Sequence, residues 1–119
     1  MKPQELRIGN KFRRPCCCDE VVEIRKSGII GLDGLRGLIP YSEIVPVRIT
    51  DELLLKNGFE QCGYIFKTLF IEMYEVANGW HLHIDNERFE TALSITIKYV
   101  HQLQNAYYIA TGKELEIKL

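Results

Sequence analysis

The string His81-Leu82-His83-Ile84-Asp85 has the H-x-H-x-D spacing of some metal-dependent hydrolases. On a strand, two imidazoles two residues apart point the same way and can share an ion. A complete site needs further ligands, and the third histidine, His101, falls in a separate helical segment. The sequence therefore favours a solvated polar strand face over a metal centre. Cys16-Cys17-Cys18 offers at most two thiols on one strand face, and Cys62 stands alone. No C-x-x-C pair supports a zinc ribbon, so the cysteines read as small hydrophobes. Gly28, Gly31, Gly34 and Gly37 recur every third residue, but Leu38-Ile39-Pro40 follows them where a phosphate loop requires Gly-Lys-Ser/Thr and a helix. Ser27, Ser42 and Ser94 have neither a glycine elbow nor a histidine neighbour in sequence. No catalytic residue, metal or cofactor is expected, and the chain does not read as an enzyme.

Two surfaces remain as binding candidates. Lys11-Phe12-Arg13-Arg14 is a basic cluster with one aromatic, able to touch phosphates and stack a base; Arg25 and Lys26 extend it. His101, Gln102, Asn105 and Tyr108 fall on one side of a helix, opposite Val100, Leu103 and Tyr107, and suggest an amide-rich face for a protein partner.

These residues must be positioned by a chain of 119 residues, 46% apolar and 26% charged, the balance of an ordinary globular domain. At that length about two-thirds of the surface is buried, so a core forms without disulfides or metals. Net charge is −1, with nine Lys/Arg against six Asp/Glu in residues 1–50 and six against ten in residues 51–119. That asymmetry falls short of the dense basic stripe typical of nucleic-acid binding. No run of about 20 apolar residues crosses a membrane. Met1-Lys2-Pro3-Gln4-Glu5 lacks a secretory signal's apolar stretch, which predicts a cytoplasmic protein with reduced thiols.

The patterning predicts one α+β domain, with an all-β lobe over residues 1–48 and an α+β lobe over residues 49–119. Short strands are expected at 6–10, 21–24, 38–40 and 44–47, curling into a small sheet or an SH3-like barrel, since curling hides strand edges. Thr50 caps a short helix that starts with Asp51 and Glu52 and stops at Asn57-Gly58. Strand-like runs follow at 64–67 and 69–76, and Asn78-Gly79 predicts a type I′ turn into Trp80–Ile84. A longer helix is expected from Thr96 to Thr111, ended by Gly112, with Val100, Leu103, Tyr107 and Ala110 on its buried face. The alternation in Glu114–Leu119 predicts a final strand.

Four strings carry a family likeness: Glu5-Leu6-Arg7-Ile8-Gly9-Asn10, Leu38-Ile39-Pro40-Tyr41-Ser42-Glu43-Ile44, Leu54-Leu55-Lys56-Asn57-Gly58-Phe59, and Tyr99-Val100-His101-Gln102-Leu103-Gln104-Asn105 continuing through Thr111-Gly112-Lys113-Glu114-Leu115. Over nearly its whole length the chain resembles a family of small uncharacterised proteins of phages and integrated mobile elements of anaerobic gut bacteria. The resemblance implies an intracellular phage or prophage accessory protein and supplies no catalytic residues. Arg13-Arg14-Pro15-Cys16-Cys17-Cys18 departs from the family pattern. The expectation is a non-enzymatic binding module for a protein partner, self-association included; the alternative is a nucleic-acid-binding factor using Lys11, Arg13, Arg14, Arg25 and Lys26.

Overall fold

The computed structural model describes residues 6–13, 18–24, 28–31, 38–68, 70–86 and 91–119. Strands β1 (Lys11–Arg13), β2 (Cys18–Ile24), β3 (Gly28–Gly31) and β4 (Leu38–Pro40) form a four-stranded antiparallel sheet in sequence order. The register shifts between Val21 and Glu23, a bulge that bends β2. Order β1-β2-β3-β4 leaves β1 and β4 as open edges, so the described strands form an open sheet and not the SH3-like barrel entertained from the sequence. Residues 6–10 are a turn and not the expected strand: Asn10 N–H returns to Arg7 O at 3.0 Å, and the Asn10 side chain accepts from Arg7 N–H at 2.6 Å. Leu6, Phe12, Val21, Ile39 and Ile44 make a small core under this sheet.

Thr50 caps α1 (Asp51–Lys56), its hydroxyl accepting from Leu53 N–H at 3.2 Å, and Asn57-Gly58 ends the helix as the spacing predicts. Five antiparallel strands follow in order: β5 (Glu60–Cys62), β6 (Ile65–Thr68), β7 (Ile71–Val76), β8 (Gly79–Asn86) and β9 (Thr91–Ile97). The β7–β8 hairpin forms where expected, but Val76 pairs with Gly79, so Ala77-Asn78 makes the turn. Gly79 opens β8 at φ +140°, and a Cβ there would meet Ile97 O at 2.4 Å. Glycine is required by both backbone angle and close approach.

The second helix, α2 (Val100–Thr111), starts later than expected because Thr96 and Ile97 belong to β9. Gln102 explains the boundary: its Oε1 accepts from Lys98 N–H at 2.8 Å and Tyr99 N–H at 3.1 Å, satisfying donors just before the first turn. At the other end Gly112, at φ +73°, donates to Tyr108 O at 2.8 Å. Helix α2 packs on β8 and β9. Val100, Leu103, Tyr107 and Ala110 are buried there with Phe66, Met73, Trp80, Leu82 and Ile97, which form the main core. The Trp80 indole donates to Ile49 O at 3.1 Å and ties the extended segment before α1 to the sheet.

Residues 114–119 are not the expected strand. Ile117 is buried as the alternation requires, yet the backbone bonds go to side chains: Gln104 Nε2 donates to Leu115 O at 3.3 Å, Asn57 Nδ2 to Lys118 O at 2.9 Å, and Lys118 N–H to Asn57 Oδ1 at 2.6 Å. Among the described residues no helix is long and apolar enough to cross a membrane.

Candidate functional site

Two polar surfaces compete for the role of contact site, and their hydrogen bonds separate them. The first is the flank of α2, where His101, Gln102, Asn105 and Tyr108 were expected to face outward. His101 is only 2% exposed and stacks on Tyr99 with ring centroids 5.9 Å apart. Gln102 is spent on the helix start. Asn105 Oδ1 accepts from Arg7 Nε at 3.1 Å and Asn10 Nδ2 at 2.8 Å, and the Arg7 guanidinium lies 4.4 Å from the Tyr108 ring centre. The neighbouring Gln104, 1% exposed, completes the joint: Oε1 accepts from Lys11 N–H at 2.9 Å, and Nε2 donates to Gly9 O at 3.1 Å. Arg7 also donates to Gln104 O at 3.2 Å and pairs with Glu114. This flank therefore fastens the N-terminal sheet to the rest of the molecule. The expectation of an exposed face is corrected at His101, which is buried; Gln102 and Asn105 are half-buried and engaged within the fold, and Tyr108 stays exposed.

The basic cluster is placed in part. Lys11 pairs with Glu20 at 3.3 Å, and its ammonium is thereby partly neutralised. Arg13 contributes its backbone to β1. Arg14, Arg25 and Lys26 lie outside the described residues, as do Cys16, Cys17 and the glycines at 34 and 37. Cys62 is an exposed free thiol.

The second surface is the outer face of the five-stranded sheet. Strand alternation sends Phe66, Ile71, Met73, Trp80, Leu82 and Ile84 inward and their neighbours outward. Register then assembles two transverse rows on the outer face: Cys62, Ile65, Tyr74, His81 and Thr96, and beside them Glu60, Lys67, Glu72, His83 and Ser94. All ten are exposed or half-buried. Tyr64, in the β5–β6 turn, is 73% exposed and meets Tyr74 edge-to-face at 6.0 Å; Tyr74 in turn lies 4.9 Å from the His81 ring. His81 Nε2 is 2.9 Å from Ser94 Oγ. Lys67 pairs with Glu72 at 3.6 Å, leaving Glu60 and Asp85 to set an acidic margin.

Chemically, this face offers aromatic area with polar tips. The Ser94–His81 contact resembles the first half of a hydrolytic triad, but among the described residues no carboxylate bonds His81. His81, His83 and Asp85 share the outer face as their spacing requires. Among the described residues no group of three or more His, Cys, Asp or Glu side chains is arranged to hold a metal ion. A shallow groove of about 190 Å³ lies elsewhere, lined by Arg48, Glu75, Trp80 and Lys98 among others. The sequence reading missed Tyr64 and Tyr74; alternation of Ile65 with Phe66, and of Tyr74 with Met73, is the signal that places this face. No protein-family model, curated protein or solved structure matches the chain.

Proposed function

We propose that this protein is a non-enzymatic, cytoplasmic accessory protein of the phage and mobile-element kind its strings resemble, and that it binds a protein partner on the outer face of the five-stranded sheet. One observation carries the reading: Tyr64, 73% exposed, leads into a ring-to-ring row through Tyr74 to His81. Tyrosines supply large, stiff contact area with a hydrogen-bonding tip, and they are enriched at interface centres. Glu60, Glu72 and Asp85 outnumber Lys67 on this face, which suits a partner whose apolar centre is rimmed by basic residues. The same acidity disfavours a polyanion there.

The test is capture from bacterial lysate, with and without nuclease, on immobilised wild-type chain, Tyr64→Ala and Lys11→Glu. One protein should be retained by wild type and Lys11→Glu regardless of nuclease, and its retention should fall at least about tenfold on Tyr64→Ala. Equal retention by Tyr64→Ala, or retention of nucleic acid alone that Lys11→Glu abolishes, overturns the reading.

A further inference from the structure

Helix α2 shows how this chain seats a guanidinium on a tyrosine. Arg7 lies 4.4 Å from the Tyr108 ring centre and also pairs with Glu114, so a ring face and a carboxylate share one cation. The outer face of the five-stranded sheet presents the same two kinds of group. Tyr64 and Tyr74 stand nearly perpendicular, 84° apart with ring centroids at 6.0 Å, and form two walls of a corner. Ile65, next to Tyr64 in sequence and opposite Tyr74 in register, adjoins both residues. Carboxylates come from Glu72, two residues from Tyr74 on the same strand face, and from Glu60 on β5. The one lysine or arginine in the two transverse rows, Lys67, is paired with Glu72. Among the described residues no cation lies over the Tyr64 or Tyr74 ring.

We infer that the corner between Tyr64 and Tyr74 receives an arginine side chain of the protein partner, a step that rests on the sheet-face reading above. Ring faces attract a cation through their quadrupole, and two perpendicular walls let one ion meet both rings. Charge selects the occupant: Glu60, Glu72 and Asp85 against Lys67 leave this face acidic, so it repels an acidic side chain and draws a basic one. Shape then favours arginine over lysine. A guanidinium is flat and weakly hydrated, and it lies on a ring while its edge N–H groups donate to a carboxylate; an ammonium is compact and holds its water. Tyr64 sits in the turn between β5 and β6, at the margin of the sheet. The arginine therefore belongs to the partner's basic rim and not to its apolar centre.

The test titrates the full chain with Nα-acetyl-arginine methylamide and with its citrulline counterpart, which keeps the planar shape and lacks the charge. Tyrosine ring protons are followed by NMR. The arginine probe should shift the Tyr64 and Tyr74 signals together and saturably, binding at least about fivefold more tightly than citrulline. Tyr64→Phe, which keeps the ring, should retain that preference, and Tyr64→Ala, with unchanged circular dichroism, should lose it. Equal binding of citrulline, shifts confined to other tyrosines, or a Tyr64→Phe chain as inert as Tyr64→Ala overturns the proposal. The lysate capture separates it from the reading beneath it. A corner that ignores arginine while the captured partner still depends on Tyr64 strikes this inference alone. Arginine bound at the corner with no protein captured strikes the partner reading and upholds the corner's selectivity for the cation.

Discussion

The flank of α2 and the outer face of the five-stranded sheet look alike as sequence: each mixes histidine, tyrosine and amides or hydroxyls at regular spacing. Their hydrogen bonds make them opposites. On the flank, Gln104 and Asn105 are bonded across nearly a hundred residues to Gly9, Asn10, Lys11 and Arg7, so polarity there holds two cores together. On the sheet, the polar row bonds mainly to itself, and Tyr64 reaches into solvent. A polar residue signals a binding surface only when the fold has not already engaged its donors and acceptors.

That contrast predicts unequal costs. Gln104→Ala should be the most damaging of three changes, losing about 3 kcal/mol in urea denaturation, because Lys11 N–H and the Gly9 and Leu115 carbonyls lose a buried partner at once. Arg7→Ala should cost about 1 kcal/mol, since its guanidinium is partly exposed and water replaces some of the bonds. Tyr64→Ala should change stability by less than about 0.5 kcal/mol while removing partner capture. If Tyr64→Ala proved the more destabilising, the sheet face would be structural and the contrast would collapse.

Much of the second lobe was legible in the sequence. Thr50, Asp51 and Glu52 announce α1 through capping chemistry, and Asn57-Gly58 ends it by a backbone preference that needs no tertiary information. The face Val100, Leu103, Tyr107 and Ala110 follows from helical period. Two departures from the expected elements have opposite origins. Thr96 and Ile97 fit either a helix start or a strand end, and the alternation of Leu93, Ile95 and Ile97 with Ser94 and Thr96 was the overlooked sign of β9. Glu114–Leu119 alternates as a strand does, but alternation reports which side chains are buried, not which groups receive the backbone bonds. The joint at Gln104 was illegible because its partners lie in a turn, residues 6–10, far away in sequence. Strings that drew the family resemblance meet in it: Arg7-Ile8-Gly9-Asn10 binds the Gln104-Asn105 end of the helical string. Leu54–Phe59, through Asn57, likewise holds Lys118 of the C-terminal segment.

The chain's three histidines allow the contrast to be measured in a single experiment. Native protein is treated with diethylpyrocarbonate and the modification of His81, His83 and His101 is followed by mass spectrometry. His81 and His83, on the sheet face, should be modified readily, His101 should stay protected until denaturant is added, and bound partner should slow His81. Modification of native His101 as fast as His81 would contradict the assignment of the helix flank to the joint and of the sheet face to binding.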